Sequence, residues 1–488
     1  MLQMKNLFQN YLGKTKSRLI DLFSHKITYF YIAMFVTLLG CLFSEIAVYF
    51  VFALVAVVSV MFSFDKSLTF TLCLFPFAGV ISLGGVIYII IPLATVLLIH
   101  SVKYFIEVLK KKKTINWWFA GIILAFCVYM LLPIRDSLAS DKGDFFGLYD
   151  FANIFMFLDM IYLIWAYKDE IKIDKAVIIF SISLIVSCLY FLLKPVSARL
   201  TGLFPAIYQS EVCKFNALVG FNPNSLALTA GLTLTILLYM IVTSKIKYES
   251  LLLLVPIFIF GYLTISRQFL FSIFIALGLM FVVSLIKKNY AALKILLIFA
   301  GIGALVALIF SNVTNTFLGR FTIKDAVSGY NDAATLPKEE LVQIVNPGRG
   351  GLIKIYFWDW VSSAMIFLFG RGVQTGYINN FNAHNTFIHL FWESGLIGGL
   401  CFILVLFLTV KNISNANFVG TIKNIFGKWE NYVLYVPVCA LLFVENIFLK
   451  PIFIVMSAIF IFALLAQSKK NMVSNNESTN ENERDVSE

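Results

Sequence analysis

Apolar runs of about 17–20 residues, separated by short charged interruptions, recur from residue 27 almost to the end of the chain, and this is the length a helix needs to cross about 30 Å of hydrocarbon. Lipid offers the backbone no hydrogen-bond partner, so such runs must close their hydrogen bonds internally as helices. The composition agrees: 60% of the residues are hydrophobic and 13% charged, against roughly 25% charged in soluble domains. An ordinary soluble enzyme is thereby excluded. The net charge of +11 is carried by lysine clusters between the runs, as expected of cytoplasmic loops, and does not call for a nucleic-acid partner. The seven cysteines lie almost all inside apolar runs, which is no disulfide framework.

The expected fold is all-α: a polytopic membrane protein of about 14 (12–14) transmembrane helices with one long extracytoplasmic loop containing an amphipathic helix. Residues 1–26 read as a basic, amphipathic cytoplasmic segment without the apolar core or cleavage site of a signal peptide. Helices 1–11 are expected within 27–310, among them spans at Leu68–Leu83 and Trp117–Leu132, the outer loop at 311–394, helices 12–14 within 395–468, the first at Leu396–Val410 and the last at Pro451–Ala466, and a polar, disordered cytoplasmic tail at 469–488. With both termini inside, the clusters Lys5–Lys26, Lys103–Lys113, Lys168–Lys175, Lys245–Lys247, Lys287–Lys288, Lys411–Lys428 and Lys469–Lys470 all fall on the cytoplasmic side. Within the loop, the apolar stretch Leu352–Phe369 carries Lys354 and Asp359, and reading it as a span would invert every later loop. It is therefore expected to lie on the membrane surface.

This topology separates the two basic residue types: 23 of the 30 lysines fall inside, whereas six of the eight arginines (Arg135, Arg199, Arg267, Arg320, Arg349, Arg371) fall outside. The charge rule for loops treats the two alike and does not predict such a split. Arginine presents a planar fork of donors suited to phosphate or carboxylate, so the split suggests a phosphate or pyrophosphate ligand at the outer face. The alternatives are chance placement and pairing with outer carboxylates such as Asp136 and Glu211, or, for Arg267, interfacial anchoring. Glycines flank Arg349 in NPGRGG and Arg371 in GRGVQTGY, which allows close backbone approach to a ligand. The same loop ends in AHNTFIHLFWESGLIGGL, whose His384 and His389 are the outer histidines. A five-residue separation puts their rings about 140° apart on a helix, which argues against a shared metal. His384, followed by Asn385, is the candidate general base, and His389 reads as a residue on the buried face of the helix that follows. Glu393 is a candidate partner for the loop histidine, or else a helix-capping or surface residue.

AHNTFIHLFWESGLIGGL resembles the signature of the O-antigen polymerase and ligase family of bacterial membrane glycosyltransferases. RLTGLF at Arg199–Phe204, GFNPNSLAL at Gly220–Leu228, TISRQ at Thr264–Gln268 and NPGRG follow in the order that family shows, covering about the C-terminal 60% of the chain. The resemblance implies a metal-independent, cofactor-free, inverting glycosyltransferase in the bacterial cytoplasmic membrane, acting at its outer face on polyprenyl-pyrophosphate-linked oligosaccharide. A flippase and a chain-length regulator of the same pathway are the implied protein partners. Carried over, His384, Arg267 and Arg349 are catalytic, and Arg199, Arg320, Arg371, Asn224, Asn385 and Glu393 bind substrate. The spacing from Phe204 to Gly220 is longer than the family's compact form of that motif. Polymerase and ligase share these residues; the polymerase is the favoured reading, with a lipid-linked saccharide flippase as the alternative from another class.

Overall fold

A computed structural model describes residues 26–41, 46–77, 82–83, 86–87, 90–131, 145–171, 173–193, 223–242, 250–264, 266–311, 314–315, 348–372, 385–414, 418–426, 429–444 and 457. Apart from one two-residue antiparallel pair, the regular elements among them are helices. Four are long and apolar enough to cross a membrane: Ile90–Leu109, Phe269–Ile286, Tyr290–Ile309 and Thr386–Ile413; seven shorter apolar helices accompany them. The helix Tyr290–Ile309 shows why the solvent must be lipid. Leu297, Leu305, Leu308 and Ile309 on it are more than half exposed, and so wide an apolar surface is not stable against water. Hydroxyl side chains inside the apolar helices bond back to the preceding turn, as Ser59 does to the Val55 carbonyl at 2.6 Å and Thr233 to Thr229 at 2.6 Å.

In chain order, α1 is Lys26–Gly40, α2 Ala47–Met61 and α3 Phe64–Leu72. The sequence reading placed an unbroken span at Leu68–Leu83; the structure has instead the short, almost wholly buried α3, a 3-10 turn at Phe75–Phe77, and strands β1 (Ser82–Leu83) and β2 (Val86–Ile87) paired antiparallel. Pro76 lacks the N–H a continuing helix needs, and Gly84-Gly85 is a dipeptide favoured between hairpin strands. Next come α4 (Ile90–Leu109), α5 (Trp117–Leu131), α6 (Phe145–Ala166), α7 (Ile173–Leu193), α8 (Pro223–Val242), α9 (Leu251–Leu263), α10 (Arg267–Ile286) and α11 (Tyr290–Ile309). The surface stretch forms two helices, α12 (Gly348–Trp360) and α13 (Ala364–Phe369), both packed on α14 (Thr386–Ser414). At 1.5 Å per residue α12 is about 20 Å long, shorter than the hydrocarbon core. A short α15 (Phe418–Phe426), which the apolar-run reading missed, precedes α16 (Trp429–Val444).

α5 and α14 run antiparallel, tied at one end by Asn116 to Asn412 (3.4 Å) and at the other by the Tyr129 hydroxyl to the Ser394 carbonyl (2.6 Å). The two ties are about 27 Å apart along α14. Lysines populate the Asn412 end: Lys168 donates to the Asn412 carbonyl at 2.9 Å, and Lys113 to that of Ala166 at 3.3 Å. Trp117 and Trp118 stand exposed beside Lys110–Lys113, as aromatic residues do where hydrocarbon meets water. The segments 1–25 and 469–488, and nearly all of the expected last span Pro451–Ala466, lie outside the described residues.

Candidate functional site

The end of α14 opposite those lysines begins with Asn385, whose side-chain oxygen accepts from the Ile388 N–H at 2.9 Å, caps the helix and is itself buried. One helical turn on stands His389, whose own N–H donates to the Asn385 carbonyl at 3.1 Å, and one turn further Glu393. The four-residue spacing puts all three on one face. His389 Nε2 lies 3.0 Å from Glu393 Oε1, with side chains 6% and 1% exposed.

This first part of α14 stops at Gly395, whose φ of +65° belongs to the left-handed region that favours glycine. Gly370, at φ +79°, faces it so closely that a side-chain carbon on either would strike the other segment's backbone. The carbonyls left unpaired where the helix breaks are taken up one by one: Trp392 O by the Arg371 N–H at 2.9 Å, Glu393 O by the Gly372 N–H at 2.9 Å, and Ser394 O by Tyr129. The remaining glycines of GLIGG make room: a side-chain carbon at Gly398 would meet Tyr129, and one at Gly399 would meet Phe391.

Asp359 joins α12 to this unit. Its carboxylate accepts from Arg371 Nε (2.9 Å) and Nη2 (2.8 Å), a bidentate fork, and from the Trp392 indole at 2.8 Å. Hydrogen bonding to Asp359 raises the Arg371 pKa above its already high value. Tyr356, fully buried, packs edge-on against Trp392 with ring centroids 4.8 Å apart and lies 6.1 Å from the His389 ring. Trp360 stacks on Phe367 of α13 and approaches Phe391 of α14.

The structure thus brings Asn385, Glu393 and Arg371 of the expected set together. Arg371 has an acidic partner, the kind of pairing weighed against a phosphate ligand, and it is Asp359. Glu393 is buried, not a surface residue, and it pairs with His389. Arg349 opens α12, the helix that carries Tyr356 and Asp359. Arg267 opens α10, and the turn before it is built by Thr264, whose hydroxyl donates to the Gly261 carbonyl at 2.6 Å and accepts from the Ser266 N–H at 3.3 Å. Asn224 lies in the first turn of α8 behind Pro223, a residue pre-set for a helix start. α8 and α10 pack against each other, touching where Gly231 meets Ser272. His384, Arg199 and Arg320 lie outside the described residues.

Sequence reasoning missed Asp359, read only as a charge unsuited to a span, and missed Tyr129, Tyr356 and Trp392 altogether. The His389–Glu393 pair was legible in the four-residue spacing. Comparison of the chain with protein-family models, curated proteins and solved structures finds no match.

Proposed function

We propose that the protein is a membrane glycosyltransferase that polymerises polyprenyl-pyrophosphate-linked oligosaccharide repeat units into O-antigen or capsular polysaccharide at the outer face of the bacterial cytoplasmic membrane. The observation that carries this reading is the placement of the NTFIHLFWESGLIGG element that opens at Asn385. It forms a fixed, hydrogen-bonded unit with Asp359 and Arg371 at the end of α14 away from the lysines. On this reading the chain crosses the membrane about fourteen times, the lysine end and both termini are cytoplasmic, and α12 and α13 rest on the outer surface.

The reaction breaks the bond from an anomeric carbon to a pyrophosphate oxygen, the electron pair leaving on the pyrophosphate, while an acceptor hydroxyl oxygen bonds to that carbon from the opposite side and loses its proton. Arg267 and Arg349, each at a helix start, are suited to the growing negative charge: guanidinium groups and helix N-termini both favour an anion. An imidazole at this end takes the hydroxyl proton, and the resemblance assigns His384. Arg199, Arg320, Asn224 and Asn385 are assigned to substrate binding. Membrane lipid surrounds the protein, and the flippase and chain-length regulator of the pathway are its proposed partners.

The test is to delete the protein in its host and to analyse surface polysaccharide together with glycan left on the polyprenyl carrier. Single repeat units accumulating on the outer leaflet without long chains support the polymerase. Long chains stranded on the carrier identify a ligase instead, and units confined to the inner leaflet identify a flippase. Unchanged long-chain product overturns the reading.

A further inference from the structure

Asp159 is a carboxylate that the outer site does not use, and it lies within the apolar run of α6. It stands seven residues, about 10 Å, from the end of α6 at Ala166, the end where Lys113 reaches the Ala166 carbonyl. So short a side chain cannot bridge that distance to water. Ser101, its partner, lies as deep, eight residues from the end of α4, a helix long and apolar enough to cross a membrane. Both Asp159 oxygens face the one Ser101 hydroxyl, Oδ1 at 2.9 Å and Oδ2 at 3.0 Å, and a single hydrogen leaves most of the carboxylate's acceptor capacity unused. Among the described residues no lysine or arginine pairs with Asp159. A carboxylate at such a depth is costly unless something pairs with it.

α4 and α5 both pack on α6 but hardly on each other, which leaves a groove with α6 as its floor. Phe155, Asp159 and Tyr162, spaced by four and three residues, share the face of α6 that forms this floor. At the lysine end the groove is closed by rings: Tyr162 lies between Tyr104 of α4 and Phe119 of α5, each with its centroid 5.8 Å away. Beyond them it opens, since Phe155 is 54% exposed and both Asp159 and Ser101 are partly exposed. The medium on that open side is hydrocarbon, which offers a carboxylate neither a donor nor a counter-charge.

An apolar floor with one acceptor set into it discriminates between occupants. A lipid tail or a wholly apolar helix covers Phe155 but leaves Asp159 alone. A second copy presenting the same face about a two-fold axis would bring Asp159 against Asp159, like charge against like. A helix with an ammonium or guanidinium group at the same depth covers the apolar floor and pairs the carboxylate where water does not compete. We propose that the groove between α4 and α5 is the docking site of a transmembrane helix from a partner protein, whose lysine or arginine pairs with Asp159.

The experiment uses the full chain, carrying a fluorescent donor, in phosphatidylcholine vesicles, with acceptor-labelled synthetic helices as probes. One probe is an apolar helix of about 20 residues with a single lysine seven residues from one end, matching the depth of Asp159, and in a second probe leucine replaces that lysine. Energy transfer is expected to show wild-type protein binding the lysine probe at least about tenfold more tightly than the leucine probe. Asp159→Asn keeps the size and an acceptor for Ser101 but not the charge, and should make the two probes equal. Phe155→Ala should weaken both probes alike. Equal binding of the two probes to wild type overturns the proposal, as does a lysine preference that survives Asp159→Asn or binding that Phe155→Ala leaves untouched. Should Asp159→Asn fail to fold, a third probe with glutamate at the lysine position decides on wild type alone: binding as tight as that of the lysine probe overturns the proposal. Labelled copies of the chain that associate with one another through this face, and less so as Asp159→Asn, would give the groove to a second copy and overturn it equally.

Discussion

The two ends of α14 use charge in different ways. At the lysine end, ammonium groups reach helix C-terminal carbonyls: Lys103 donates to Ser59, Val60 and Phe62 of the α2 terminus at 2.6, 2.9 and 3.2 Å, and Lys168 to Asn412 of α14. A compact, rotatable cation beside a negative dipole end holds a helix in place but imposes little direction. At the other end, planar groups meet planar groups: the Arg371 fork on Asp359, the Trp392 indole on the same carboxylate, and the His389 ring on Glu393. Every one of these fixes an orientation as well as a position. The difference teaches that the first end anchors helices without fixing direction whereas the second holds its polar groups in set orientations, and substitutions at the two ends should fail differently.

The largest effect is expected from Gly395→Ala. The left-handed backbone alone costs a residue with a side chain about 1–2 kcal/mol, and the added carbon collides with the Leu368 carbonyl, so the Gly370–Gly395 contact must open. Much less folded protein in the membrane and a melting temperature well below wild type are the expected results; a normal melt would show that the contact is dispensable. Asp359→Ala comes next. It strips three hydrogen bonds from Arg371 and Trp392, expected to cost roughly 1.5–3 kcal/mol, and it releases α12 from α14. Activity should fall along with stability, and a variant that loses stability alone would place the Asp359 unit outside the chemistry. Lys103→Met removes the cation from three carbonyls at the opposite end and is expected to lower stability by about 0.3–1 kcal/mol while kcat stays at the wild-type value. A drop in kcat there would abolish the division between the ends.

How much of this was legible beforehand depends on the range of the interactions. The helix Trp117–Leu131 was expected at Trp117–Leu132, because a lipid-facing run announces itself in its own residues. Leu68–Leu83 failed although it is as apolar, since a count of apolar residues is blind to what Pro76 and the glycines do to the backbone. The break at Gly395 falls where the expected span was to begin, at Leu396, but its cause lies in Gly370, a distant segment. The site divides the same way. Asn385 and the His389–Glu393 spacing are local and can be read from one helix turn to the next. Asp359 finds Arg371 and Trp392 twelve and thirty-three residues along the chain, and no local pattern encodes that meeting.

The smallest expected effect separates the ends most cleanly. Lys113 sits over the Tyr167 ring at 3.5 Å and between Glu107 (3.4 Å) and Glu170 (3.3 Å), whose side chains are 38% and 49% exposed. Ion pairs that open to water are worth about 0–1 kcal/mol, and salt screens them. Lys113→Ala should therefore lower the melting temperature slightly in dilute buffer, and the loss should shrink as salt is added. The Asp359 carboxylate is only 15% exposed and is bonded to a buried indole, so the Asp359→Ala loss should persist in high salt. Melting curves of both variants at low and high ionic strength decide the matter: equal salt sensitivity would mean that the two ends hold their charges in the same way and that the contrast drawn from their geometry has no energetic counterpart.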